Sequence, residues 1–428
     1  MFSEAYDQYV KLSPGVYEEL SPATRVLQTL AEHDGGPLTA LQISLLCFPE
    51  NLQMRMQRHG LTKAQSDDLL AKYPDSYIDQ RIRLCQWIRY VAKHDAQLFS
   101  SLDFFWQSIT AQPSVERLLT AISTGHTLPE QFANHRFFNS QIVSSKCQAT
   151  LKELSDAGQI QREKSPYDTQ LICYLTRKGQ KVLADELSVY GTNITAGDIH
   201  TVKVGTHVGI KFPHRIKNVN LQISIELAAK RYGHRVLKIM DEPGLQKLFS
   251  QHKVTVNVPG KYTKSGFPEE ITGITVPDAY VLLQVEERLF AMLIEYDRGP
   301  VSGIRRGSDE YDYLRKILYI SEVYRSGLYH QLFPEAGNSF RYLTVTSGGK
   351  DAKGSDRLTN LRQIAENAIA GENARSGRIN KALQRYWFAR YDDAQVPNVH
   401  NLYAEATILN GKIWYQAGRG EERYALVW

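Results

Sequence analysis

The run from Leu289 to Asp297 constrains this chain more than any other stretch. Read as a strand, it puts Leu289, Ala291, Leu293, Glu295 and Asp297 on one face and Phe290, Met292, Ile294 and Tyr296 on the other. Two carboxylates then project together from an otherwise apolar strand that ends in Ile294-Glu295-Tyr296-Asp297-Arg298-Gly299. A second apolar run, Ile274 to Val285, begins Thr275-Val276-Pro277-Asp278-Ala279, and Glu286, Glu287 and Arg288 form the turn between the two. In an antiparallel pair the start of one strand meets the end of the next, so Asp278 is expected to join Glu295 and Asp297.

Three converging carboxylates repel one another unless a cation sits among them. Oxygen donors of this kind suit Mg2+ or Mn2+, which activate water and neutralise charge on a phosphate. Asp278, Glu295 and Asp297 are therefore the candidate metal ligands. The helix after Ser308 carries Lys316 between Tyr313 and Ile320, on the face expected to meet the sheet, where its charge would serve the same site. An earlier helix, from about His214 to Tyr232, has an apolar stripe of Ile216, Val219, Ile223 and Leu227 flanked by Glu226, a further candidate carboxylate. The competing reading is a solvated strand end whose Glu295 and Asp297 pair with Arg298, Arg305 or Arg306.

Upstream, the pattern is helical. Ser21 to Pro49 reads as two short helices broken at Asp34-Gly35-Gly36-Pro37, and about 50 to 138 as a helical insertion. In IVSSKCQATLKELSDAGQI, Val143, Cys147, Leu151 and Leu154 share one helical face, while Ser144, Ser145, Lys146, Gln148 and Lys152 point outward, and Gly158 ends the helix. Short strands at Ile160 to Glu163 and Gln170 to Leu175 follow, and Thr176-Arg177-Lys178-Gly179 opens a last helix. Helix, basic-rimmed hairpin and helix make a winged-helix layout, which predicts DNA contact through those exposed residues together with Arg162 and Lys164. Docking of a protein is the alternative use of such a module. A polar, turn-forming stretch from Ser188 to Gly197 marks the expected boundary, giving a winged-helix domain over 1–190 and a second domain over 198–428.

The order of helical Glu226, Pro277-Asp278, Glu295-x-Asp297 and helical Lys316 resembles the PD-(D/E)XK nuclease superfamily, although Asp297 stands where that pattern has lysine. More narrowly, the winged helix, the Pro-Asp-Ala strand, the Leu-Ile-Glu-Tyr-Asp-Arg-Gly strand end and the Tyr-rich helix with Lys316 resemble the replication-relaxation family, over roughly residues 24 to 48 and 140 to 346. That family includes MOB-C plasmid relaxases, which nick DNA at a transfer origin. The resemblance implies an α/β (α+β) chain with a restriction-endonuclease-like mixed sheet flanked by helices. It also implies that the lysine's role has moved to Lys316, and that Asp278, Glu295, Asp297, Lys316 and Glu226 form the catalytic set with Mg2+ or Mn2+ as cofactor.

Composition agrees without deciding the matter. A length of 428 residues accommodates two cores, and a net charge of +5 is compatible with a polyanionic partner. No apolar run reaches the length of a membrane span and the start lacks a signal-peptide pattern, so a cytoplasmic location is expected. The four cysteines, Cys47, Cys85, Cys147 and Cys173, form no CxxC pair and read as buried small hydrophobes. None of the twelve histidines makes the His-hydrophobic-His motif of tyrosine relaxases, and Ser347-Gly348-Gly349-Lys350 lacks P-loop spacing. That run, with Lys353, Arg357 and Arg362, reads as a flexible basic rim. Arg375 to Arg390 reads as an amphipathic helix and strand with a solvated basic face.

The leading expectation is thus a relaxase-like, metal-dependent DNA endonuclease acting in mobile-element transfer or replication, beside other proteins of that process. A non-catalytic DNA-binding accessory protein or transcriptional regulator of a mobile element is the second reading, supported by the lysine missing after Tyr296. An anti-phage defence nuclease would use the same residues.

Overall fold

A computed structural model describes residues 19–33, 36–48, 52–134, 145–164, 171–199, 201, 212–263, 265–298, 309–347, 349, 356–373, 379–394 and 407–427. The expected mixed α/β architecture is present. In the N-terminal part, α1 (Pro22–Glu32) is capped by the Ser21 hydroxyl, which accepts from Thr24 N at 3.1 Å. Next come β1 (Leu38–Thr39) and α2 (Ala40–Cys47), the latter held by a reciprocal Thr39–Gln42 capping box. Helices α3 to α9, from Leu52–Arg58 to Glu130–Asn134, occupy the span expected to be a helical insertion. They bury a core of their own that includes Trp87, Ile88 and Trp106.

The chain then returns as α10 (Ser145–Asp156), β2 (Ile160–Lys164), β3 (Leu171–Leu175) and α11 (Arg177–Ser188). β1, β3 and β2 form a three-stranded antiparallel sheet in that order. Cys147, Leu151 and Leu154 of α10 are buried against it, as their spacing predicts. Gly158, at φ +68, turns the chain out of α10. Gly179 in α11 has no room for a side chain, because a Cβ there would lie 2.2 Å from the Gln159 carbonyl oxygen.

The second half is built on a seven-stranded mixed sheet. Helix α12 (Phe212–Arg231) leads to β4 (Arg235–Asp241), α13 (Glu242–Phe249) and a hairpin of β5 (Val254–Val258) and β6 (Glu269–Gly273). Then come β7 (Ala279–Val285), β8 (Arg288–Asp297), α14 (Asp309–Arg325), α15 (Leu328–Leu332), β9 (Arg341–Thr346) and α16 (Arg357–Asn373). After α17 (Ile379–Leu383), β10 (Tyr386–Arg390) is followed by α18 (Tyr391–Ala394), α19 (Thr407–Asn410), β11 (Trp414–Gln416) and β12 (Arg423–Tyr424). The order across the sheet is β12-β11-β10-β9-β8-β7-β4; β8, β9 and β10 run parallel and every other pairing is antiparallel.

The first strand of the expected pair begins at Ala279 and not near Ile274. Pro277 has no N–H to give a ladder, so residues 274–277 cross from β6 to β7 outside the sheet. The alternation on β8 holds: Ala291 and Leu293 pack with α14 and α16, whereas Met292, Ile294 and Tyr296 pack with α12 and the C-terminal segment.

Helix α12 is buried on two sides. Val219 and Ile223 enter the N-terminal core, with Ile199, while Leu221, Ile225 and Ala228 enter the core of the large sheet. Each such side chain contributes about 1.5–3 kcal/mol of burial, so this helix ties the two halves together. Polar contacts add to it. An Arg215 Nη2 donates to the carbonyls of His33 (3.1 Å) and Gly36 (3.0 Å) and to Asp241 Oδ2 (3.2 Å), and Gln42 Nε2 donates to Asn220 Oδ1 at 2.8 Å. Among the described residues no helix is long and apolar enough to cross a membrane.

Candidate active site

The site lies where β7 begins and β8 ends. Asp278 N donates to Ile294 O at 2.9 Å, and Ala279 pairs with Ile294, so continuing the register sets Asp278 opposite Glu295. The Asp278 carboxylate takes over a ladder position: its Oδ2 accepts from Tyr296 N at 2.7 Å. Both acidic residues are buried, at 7% and 3% exposure. Burial, then the charge of Glu295, holds the Asp278 carboxyl well above the ordinary carboxylate range.

Lys316, on α14, donates its Nζ to Glu295 Oε1. Tyr342, on β9, donates to Glu295 Oε2 at 3.4 Å. The Glu295 carboxylate raises the Lys316 pKa, against the opposing effect of burial. Asp278, Glu295 and Lys316 are therefore brought together.

Asp297 is placed on the same face but has its own partners. Arg357 Nε donates to Oδ2 at 3.0 Å and Nη2 to Oδ1 at 2.8 Å, and Thr346 Oγ1 donates to Oδ2 at 3.0 Å. Cations from α14 and α16 thus meet Glu295 and Asp297; Arg305 and Arg306 lie outside the described residues. Glu226 is not brought to the site. Its Oε1 lies 3.7 Å from His33 Nε2, in the region where α12 meets the N-terminal half, twelve positions beyond His214. At about 1.5 Å per residue that is roughly 18 Å along the helix.

The α12 residues that do reach the site are His214 and Asn218, one turn apart. His214 Nε2 lies 2.9 Å from Tyr296 O and 3.4 Å from Asp278 Oδ2. A carbonyl only accepts, so Nε2 carries the hydrogen. Burial lowers the His214 pKa, although the bond to Tyr296 opposes this. Asn218 Nδ2 donates to Asp278 O at 2.8 Å. Polar residues at i and i+4 in a helix buried on two sides are the signal that could have found this pair. Nothing in the spacing marks Arg357, which the sequence assigns to a flexible rim. It is 4% exposed and faces Asp297, while Arg362 donates to Gly420 O at 2.8 Å; Lys350 and Lys353 lie outside the described residues. In Arg375 to Arg390, β10 is a core strand with Trp387 and Phe388 buried.

Asp278 and Glu295 are hard oxygen donors whose crowding a cation would relieve. They fit Mg2+ or Mn2+, since Mg2+ takes one or two carboxylates and keeps several waters. Asp297 does not fit as a third ligand while Arg357 holds both of its oxygens. Among the described residues no group of three His, Cys, Asp or Glu is placed to hold a metal ion.

On the N-terminal part, Ser145, Lys146, Gln148 and Lys152 lie along the exposed side of α10, Lys164 is exposed at the end of β2 and Arg162 is half-buried. Ser144 lies outside the described residues. Burial pushes the Cys147 and Cys173 thiols up to about 12, in keeping with their reading as core residues. Compared with protein families, with curated proteins and with solved structures, the chain matches none.

Proposed function

We propose that the chain is a divalent-metal-dependent DNA endonuclease of the PD-(D/E)XK type, relaxase-like in action, whose winged helix selects a DNA site for nicking or cleavage. The single observation that carries this reading is the meeting of Asp278, Glu295 and Lys316 at the adjoining ends of β7 and β8. The order around it, helix α12, strands β4, β7 and β8, helix α14 and strand β9, supports a nuclease-like core. The setting is mobile-element DNA transfer or replication in the cytoplasm, with DNA as partner beside other proteins of that process.

Asp278 and Glu295 would hold the cation, which when bound activates water and neutralises charge on the phosphate. Tyr296 N and His214 keep the Asp278 carboxylate in place. Lys316 carries a positive charge beside Glu295 and is partly exposed, so it can donate to a phosphate oxygen as charge builds there. Asp297 acts by anchoring Arg357. In the winged-helix unit of α1, α2, α10, β2, β3 and α11, the exposed side of α10 suits the major groove and Lys164 suits phosphate.

The test is nicking of supercoiled plasmid carrying the protein's own genetic neighbourhood, with Mg2+ or Mn2+, by the wild type, Asp278→Ala and Glu295→Ala. Metal-dependent nicking by the wild type alone supports the reading. A second reading, a DNA-binding accessory protein that keeps the fold as a scaffold, is favoured by the Arg357 grip on Asp297, which leaves two candidate ligand carboxylates where three were expected. DNA binding without cleavage under either metal would establish it.

A further inference from the structure

Lys217 is a charged residue that the reaction outlined above does not use. It sits on α12 between His214 and Asn218, the two residues that reach Tyr296 and Asp278. Its side chain is half-buried, and its ammonium lies 4.1 Å from the centre of the Tyr391 ring. Tyr391 is held from below: Asn220 Nδ2 donates to its hydroxyl at 3.0 Å, and its ring lies 5.2 Å from that of Tyr296. Among the described residues Lys217 forms no ion pair; burial lowers its pKa, and the charge of the exposed Asp392 opposes this.

A lysine drawn partly out of water has the face of the aromatic ring beside it in place of a bonded counter-ion. Such a cation is incompletely solvated and gains most from an anion that arrives with its own charge. The place is specific as well. Tyr391 follows β10, Tyr296 is near the end of β8, and β8, β9 and β10 run parallel. Lys217 therefore lies at the carboxyl edge of the parallel strands, the edge to which Glu295 and Asp297 also belong. Crevices outside the carboxyl ends of strands are where α/β sheets take their ligands.

We propose that Lys217 on its Tyr391 platform is a phosphodiester-binding subsite, which takes a backbone phosphate of the nucleic acid strand next to the one at Asp278 and Glu295. This rests on the nuclease reading for its substrate class. The subsite would hold the strand across the sheet edge, with one phosphate at Lys217 on α12 and the other at Asp278 and Glu295, whose Asp278 is held by His214 and Asn218 of the same helix.

The experiment uses the full chain as wild type, Lys217→Gln and Lys217→Arg. Binding of a fluorescent oligonucleotide is followed by anisotropy across a NaCl series without divalent metal, and plasmid nicking is measured in parallel. Loss of one phosphate contact is expected to weaken binding about tenfold and to lower the slope of log K against log salt by about one, with arginine restoring both. Nicking by Lys217→Gln is expected to show a raised KM at an unchanged kcat. An unchanged affinity and slope for Lys217→Gln, in a variant that melts at the wild-type temperature, overturns the subsite. A wild type that binds but never nicks, with the slope still lowered in Lys217→Gln, sinks the nuclease reading and leaves the subsite standing. A wild type that binds no DNA overturns both.

Discussion

Arg357 of α16 closes on Asp297 of β8 with two parallel hydrogen bonds, Nη2 to Oδ1 at 2.8 Å and Nε to Oδ2 at 3.0 Å. This bidentate pair, with the Thr346 hydroxyl, occupies both carboxylate oxygens of Asp297. The strand end thus meets an arginine from α16 at Asp297 and a lysine from α14 at Glu295.

Breaking that pair from one side leaves a largely buried carboxylate without its cation. Arg357→Ala is expected to lose about 3 kcal/mol of stability. Removing both charges, as Asp297→Leu with Arg357→Met, should cost less than the single change, because no uncompensated charge stays behind. Urea melts of the two variants decide it; a double variant less stable than Arg357→Ala refutes the account.

The raised pKa of Asp278 makes stability depend on pH. The folded chain keeps a proton on this carboxyl at pH values where the unfolded chain has lost it, so folding binds protons and stability falls as pH rises above about 4. Asp278→Asn does not titrate and still offers Tyr296 N an oxygen. Its stability relative to wild type is expected to climb as pH rises above about 4 in the absence of divalent metal. Addition of Mg2+ should stabilise the wild type and leave Asp278→Asn unmoved, by mass action on the native state. A flat difference across the pH series would show that the carboxyl is not perturbed by its burial.

Lys316 is the cation closest to the proposed reacting phosphate. Lys316→Met is expected to reduce nicking at least about a hundredfold, on the scale of losing one preorganised charge at a developing anion. DNA binding should change far less, since the Lys316 ammonium is already paired with Glu295 in the free protein. Equal loss of binding and nicking would place Lys316 in general phosphate attraction instead.

Arg215 links the halves of the molecule through the carbonyls of His33 and Gly36 and the carboxylate of Asp241. Arg215→Ala strips the buried Asp241 of its cation and two carbonyls of a donor, for an expected cost of about 3 kcal/mol. A single thermal transition is expected of the wild type, and its separation into two is expected of Arg215→Ala, as the halves lose coupling. One sharp transition in Arg215→Ala, at the wild-type temperature, would mean that apolar packing of α12 suffices.

The sequence by itself determined the local elements and one long-range relation. Period-two alternation identified β8 and its acidic end, the apolar stripe identified α12, and a hairpin of two adjacent runs was enough to bring Asp278 to Glu295, because antiparallel register follows from the turn. It also identified Lys316 as a residue facing the sheet, from its place between Tyr313 and Ile320. What the tertiary structure alone decided is where separate elements meet. Periodicity gives the face of a helix but neither its direction over a sheet nor what covers its other side, so Glu226 was expected at the site and lies instead by His33, while His214, Lys217 and Asn218 occupy the end that arrives. Arg357 reaches Asp297 across sixty residues of chain, through the parallel crossover from β8 by way of α14 to β9 and on to α16, and no local pattern encodes a pairing made by that crossover.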